Sequence, residues 1–192
     1  MERLPYEATS LSAAYDGIGV LPVRIVLHNV RSLYNVGAFF RSADAVGIDR
    51  LVLSGFTGRP PHKEIAKTAL GAENQVLWEP CQDVSTYVDQ ARSIGHEVAA
   101  IETSRHAVDL FEWKPSFPIC LLFGNEVEGL DEDLLERCDV HVRLPMRGLK
   151  HSLNVATAGG VVLYELLRKY CGRRVVGATD DSMPSDFHSR IP

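Results

Sequence analysis

No two cysteines stand in a C-x-x-C arrangement: Cys81, Cys120, Cys138 and Cys171 are 39, 18 and 33 residues apart. That spacing fits no zinc pattern and no disulfide framework, and it reads as four reduced thiols of a cytosolic protein. The loop G-x-x-x-x-G-K-[ST] is missing, which removes the P-loop nucleotide enzymes. No G-x-G-x-x-G follows a strand-like run, so a dinucleotide site of the Rossmann type is excluded, and Gly17-Ile18-Gly19 reads as plain loop. Neither G-x-S-x-G nor H-E-x-x-H occurs, and no cluster of side chains suits a metal. No apolar run approaches the ~18 residues of a membrane span, and the opening MERLPYEATS has no apolar core of a signal peptide. These absences predict a soluble, cytoplasmic protein without a metal. Positive charge is not in excess either: 20 Lys and Arg against 25 Asp and Glu leave −5. Any affinity for nucleic acid must therefore come from local charge.

What is present is ordinary globular material. Of 192 residues, 45% are hydrophobic and 23% charged, enough for one full core with extensions at the ends. Residues 1–22 read as a leader and 23–171 as the domain. The polar, aperiodic stretch 172–192 reads as a flexible tail. Short apolar or β-branched runs at 24–28, 50–54, 75–78, 97–102, 119–123 and 140–144 predict strands buried on both faces. Between them, Val36, Phe39, Phe40, Ala43 and Val46 form a helical stripe, and Val84, Val88, Ala91 and Ile94 form another. Val108, Leu110 and Phe111 mark one short turn, and a long helix is predicted over about 152–170. Strand–helix alternation gives an α/β fold with a mainly parallel sheet flanked by helices.

Three polar segments fall at predicted strand ends, where open α/β sheets bind their ligands. The first runs from His28 to Gly37 and into the helix carrying Arg41. Asn35 sits where a helix N-cap is expected, and Gly37 admits a close backbone neighbour. No acidic residue occurs between Asp16 and Asp44, while Arg24, Arg31 and Arg41 do. That strip suits a phosphate backbone, although spacing equally allows Arg41 a solvated face. The second segment is Phe123-Gly124-Asn125-Glu126-Val127-Glu128-Gly129-Leu130, in which Glu126 is either a helix-capping carboxylate or a site residue. The third, Leu144 to Asn154, is again free of acids and carries Arg147 and Lys150. Ser152 there is either a helix cap or a site residue. Asn154, a poor helix former, calls for a specific partner. Beyond it, Gly159-Gly160 costs a helix roughly 1 kcal/mol per residue, so a neighbouring helix, a ligand or a second subunit must approach that backbone.

Together and in this order, the three segments resemble the motifs of the SpoU (TrmH) family of RNA 2′-O-ribose methyltransferases, in the SPOUT superfamily. Asn35-Val36-Gly37 with Arg41-Ser42-Ala43-Asp44 and Gly47 resembles motif 1. Leu122-Phe123-Gly124-Asn125-Glu126 with Gly129-Leu130 resembles motif 2, and Leu144-Pro145-Met146 with Ser152-Leu153-Asn154-Val155-Ala156 resembles motif 3. The match spans about residues 24–170. The resemblance implies a C-terminal deep trefoil knot, a rare exception to ordinary chain topology. It implies S-adenosylmethionine bound in that knot, a homodimer and an RNA substrate. Carried over by position, Gly124, Leu144, Met146 and Leu153 line the cofactor pocket, with Thr103 a further candidate.

Methyl transfer to a ribose hydroxyl is an in-line displacement, governed largely by positioning. A guanidinium with a pKa above ~12 is a reluctant base but a good grip on phosphate and developing alkoxide. Arg41 is accordingly assigned to orienting and activating the ribose. Asn35, Glu126, Ser152 and Asn154 are assigned to holding that arrangement, and the general base stays open. Many members of the family it resembles that act on ribosomal RNA carry an extra N-terminal RNA-binding domain, so by that resemblance the 22-residue leader favours transfer RNA over ribosomal RNA. Two rivals remain at this level. One is a catalytically silent knotted RNA-binding protein. The other is a small-molecule α/β enzyme using His28, His62 or His151 as its base.

Overall fold

The computed structural model describes Tyr15 and residues 17–177. Most of the predicted leader and the tail beyond Gly177 lie outside the described residues. Among the described residues seven strands make one sheet: β1 (Leu21–His28), β2 (Ile48–Ser54), β3 (Trp78–Cys81), β4 (Glu97–Ile101), β5 (Val108–Asp109), β6 (Ile119–Phe123) and β7 (Val140–Arg143). Their order is β3-β2-β1-β6-β4-β7-β5, and every pairing is parallel. Five α-helices flank the sheet: α1 (Leu33–Val46), α2 (Lys63–Ala69), α3 (Val84–Ser93), α4 (Glu132–Glu136) and α5 (Val155–Gly177).

The central strands are largely apolar because both of their faces are covered, β6 being buried at every position, and the period of two divides their side chains between two cores. Ile25, Leu27, Leu51, Leu53, Leu121 and Phe123 face α1 and α5. Val26, Val52, Val98, Ala100, Cys120 and Leu122 face α3 and α4. The stripe expected for the first helix is the stripe found: Val36, Phe39, Phe40, Ala43 and Val46 are all buried. Gly37 also behaves as expected. A Cβ there would stand 2.1 Å from Thr68 Oγ1 and 2.3 Å from the Ile65 carbonyl, so α2 lies directly on α1.

Several expectations need correction. The third strand begins at Trp78 rather than Gln75, because the chain first completes a 3₁₀ turn at Ala72–Asn74. Residues 108–109 pair with β7 as a short edge strand before the turn begins. Helices α2 and α4, of seven and five residues, were not predicted. The last helix starts at Val155 and continues to Gly177, past the predicted end at 170. Asn35 is not the N-cap of α1: Ser32 is, and its hydroxyl accepts from the Asn35 N–H at 3.3 Å. Nor does Ser152 cap the last helix. Asn154 Oδ1 does, accepting from the N–H groups of Ala156 (3.0 Å) and Thr157 (3.2 Å). Gly159 owes its place to a neighbouring helix, since a Cβ there would fall 2.3 Å from the Phe39 ring of α1. Gly160 has only Ser42 Oγ within reach, at 3.7 Å.

Candidate active site

Strands β1 and β6 are neighbours, but their outgoing chains diverge: one leads through α1 to β2, the other through α4 to β7 on the opposite side. A crevice at the carboxyl ends of strands follows from such a reversal. A cavity of about 270 Å³ opens there. Its walls are the end of β4 (Ile101, Glu102, Thr103), the loop 124–129 after β6, and the chain after β7, with Leu144, Met146 and residues 151–155. Gly124, Glu126, Ser152, Leu153 and Asn154, together with Thr103, Leu144 and Met146, are thus brought to one place.

The rim is knitted by side chains far apart in sequence. Glu126 accepts three hydrogen bonds: from the Arg31 N–H (2.9 Å), the Ser32 N–H (3.0 Å) and the Asn35 amide (2.8 Å). Partial burial pushes its carboxyl up, but those donors outweigh it and leave the group below its ordinary range. It is an anion fixed at the N-terminus of α1, where the helix dipole favours it. The Asn35 carbonyl oxygen in turn accepts from the Asn154 amide at 3.1 Å. One residue from each of the three segments therefore forms a single unit, Glu126–Asn35–Asn154. Glu126 braces the start of α1, and Asn154 caps α5 while holding Asn35.

Arg41 is placed differently. It is exposed on α1, does not line the cavity, and makes no ion pair among the described residues. It shares the exposed side of α1 with Tyr34, seven residues before, and Ala45, four residues after.

Three residues that were given no role from the sequence support the site. Glu102 lines the cavity and holds the Thr103 N–H at 2.9 Å. The Asn125 amide donates to the Asn29 carbonyl at 2.9 Å, while its Oδ1 accepts from Val127 and Glu128 and closes the loop. Asn29 itself is left-handed (φ 58°), a conformation asparagine tolerates. The local signal for these roles was only an asparagine or acid within two residues of a strand end.

Of the three candidate histidines, His28 and His62 are engaged in local hydrogen bonds, and His151 lines the cavity. His28 Nε2 faces the Asn29 amide and its Nδ1 the Ser54 hydroxyl, both at 3.0 Å. His62 caps the Glu64 N–H at 3.2 Å. No carboxylate hydrogen-bonds His28, His62 or His151 among the described residues. All four cysteines are free thiols, and burial pushes Cys120 and Cys138 up to about 12. Among the described residues no group of side chains could hold a metal ion.

A parallel α/β protein with its cavity between the loops of β6 and β7 defines a class in which a small molecule sits at a strand-end crevice. The SpoU rRNA Methylase family model matches residues 22–164, and the chain belongs to that family. A Staphylococcus haemolyticus protein assigned to the TrmH family of tRNA/rRNA methyltransferases is 26% identical over 145 residues, covering 76% of this chain and 58% of its own length. The chain spans about three fifths of the length of the curated relatives it matches. Among solved structures, the AdoMet-bound rRNA methyltransferase of Sinorhizobium meliloti superposes with a TM-score of 0.71 at 28% identity, over 78% of this chain and 60% of that one. A structure concerning 2-OH methylation on tRNA gives 0.71 at 28% identity, over 79% of this chain and 97% of that one.

Proposed function

We propose that this chain binds S-adenosylmethionine in the 124–129/144–155 cavity and methylates a ribose 2′-hydroxyl of RNA, with transfer RNA the preferred substrate. The observation that carries this is the Glu126–Asn35–Asn154 unit on the rim of that cavity. It ties together three segments that chemistry at one point requires and that the fold alone does not. The cavity fits an adenosine-sized ligand in character: apolar walls at Ile101, Leu144, Met146 and Leu153 beside the backbone groups of a tight loop. S-adenosylmethionine supplies an electrophilic methyl group when bound. The S. meliloti relative holds that cofactor, which supports the assignment.

The chain's own residues position the acceptor. Glu126, held ionised, fixes the first turn of α1, and Asn154 fixes Asn35 against it. Exposed Arg41 grips the substrate phosphate and steadies negative charge on the ribose oxygen. Ser152, exposed on the rim, completes the wall beside the cofactor. Because Arg41 stands outside its own protomer's cavity, the reading includes a homodimer built on α1 and α5. The exposed side of α1 and the exposed Val161 and Tyr164 of α5 form the self-complementary face such a dimer needs. The chain leaving β7 is read as the knotted segment of the family, and a cytoplasmic location accords with an RNA substrate.

Single-turnover assays with methyl-labelled S-adenosylmethionine, on transfer and ribosomal RNA from a strain lacking the gene, test this directly. Label recovered as a 2′-O-methyl nucleoside is the expected result. Cofactor and RNA binding without label would favour the silent RNA-binding reading, and label on a base would overturn the ribose assignment.

A further inference from the structure

The segment after β2 carries an unexplained feature. Phe56 is 62% exposed, although burying an aromatic ring stabilises a fold. A single exposed ring is common on protein surfaces. Here, however, everything around it is fixed. The Phe56 N–H donates to Asn29 Oδ1 at 3.2 Å, and the Thr57 N–H to the Ser54 carbonyl at 3.3 Å. Thr57, only 3% exposed, donates its hydroxyl to the Leu27 carbonyl at 2.9 Å and accepts from the Val30 N–H at 3.0 Å. The backbone is thus clamped to the end of β1 on both sides of a ring left in solvent.

The setting is basic and close to the cavity. Arg31 and Arg59 are exposed and make no ion pair among the described residues. The neighbouring Glu126 carboxylate is taken up by three donors. Asn29, which holds Phe56, also accepts from Asn125 at 2.9 Å, and Asn125 lines the cavity. Two hydrogen bonds therefore separate the clamped ring from the candidate active site.

We propose that Phe56 is a stacking platform for an unpaired RNA base next to the methylated nucleotide, with Arg31 and Arg59 contacting the flanking phosphates. This rests on the RNA reading above. An aromatic face accepts any base, and cations beside it follow the backbone, the combination used for single strands. A rigid backbone serves that purpose because little ordering is left to be lost on binding.

Anisotropy of a labelled single-stranded oligoribonucleotide, read beside calorimetric S-adenosylmethionine binding, tests the platform. Phe56→Ala should weaken RNA binding roughly 5- to 150-fold and leave cofactor affinity and melting temperature unchanged. Phe56→Tyr and Phe56→Trp should retain RNA affinity, whereas Phe56→Leu, apolar without a π-face, should behave as Phe56→Ala. Arg31→Ala and Arg59→Ala should each reduce the salt slope of binding by about one. Wild-type affinity in Phe56→Ala, or full rescue by leucine, overturns the platform alone. A wild-type protein that binds no RNA overturns both the platform and the functional reading.

Discussion

Glu126 shows how much a single side chain in this fold is asked to do. Its two oxygens accept from Arg31, Ser32 and Asn35. Glu126→Gln turns one of those acceptors into a donor facing a donor. We expect a loss of about 1 kcal/mol in urea denaturation, at the low end for an unmatched donor because the group is exposed, and a fall in kcat larger than the loss of cofactor affinity. Arg41→Ala should cut methyl transfer about 10²-fold in single-turnover assays while S-adenosylmethionine binding stays as it was. Arg41→Lys should not restore it, since an ammonium lacks the guanidinium fork. Retention of more than half the rate in Arg41→Ala would reduce this arginine to a surface contact. His28 makes stability pH-dependent. Burial pushes its imidazole below the ordinary range, and Asp131 pulls it back only in part. The unfolded chain takes up that proton near pH 6.5 and the folded chain only lower. Stability is therefore full above about 6.5 and declines as the pH is lowered through the window beneath it. Melting temperatures from pH 7 to 5 should fall less steeply in His28→Gln, with His96, shifted the same way, supplying the remainder. Asn35, Glu126 and Asn154 were legible as polar residues at strand ends and helix starts. The parts played by Asn29 and Asn125 were not, since they arise from a left-handed backbone and a contact across 96 residues.

At the scale of elements, two adjacent glycines separate sharply. Gly159→Ala drives a methyl into the Phe39 ring and should destabilise the protein by about 1–3 kcal/mol. Gly160→Ala meets only Ser42 at 3.7 Å and should stabilise the monomer fold by up to ~1 kcal/mol through helix propensity. Denaturation midpoints of the two variants decide this, and a stable Gly159→Ala protein would contradict the packing described. The sequence announced a tight approach at this pair without saying which glycine met it. Long elements were readable because burial on two faces writes a continuous apolar run and a helical stripe repeats several times. The misses were short. Helices α2 and α4 and strand β5 contain too few residues for a period to show. Strand β3, expected at 75–78, is displaced to Trp78–Cys81 and contains Pro80; it is an edge strand paired with β2, a place where a proline is tolerated.

For the whole molecule, sedimentation equilibrium at micromolar concentration should give twice 21.2 kDa, and a monomer there would remove the dimer from the functional reading. Saturation with S-adenosylmethionine at 100 times its dissociation constant should add about 2.7 kcal/mol of stability, a rise of roughly 5–10 °C in melting temperature for a chain of this size. The hydrogen bond between Asn154 and Asn35 spans 119 residues, and it has a consequence for synthesis. Translation delivers the first turn of α1 early and the residue that completes the rim late. A nascent chain that has emerged only through β7 can bring Glu126 against Asn35 but lacks the Asn154 amide that holds Asn35 from the other side. Competence should consequently switch on in one step when the last helix leaves the ribosome, and ribosome-bound intermediates arrested before Asn154 should be inert toward RNA however well their sheet has formed.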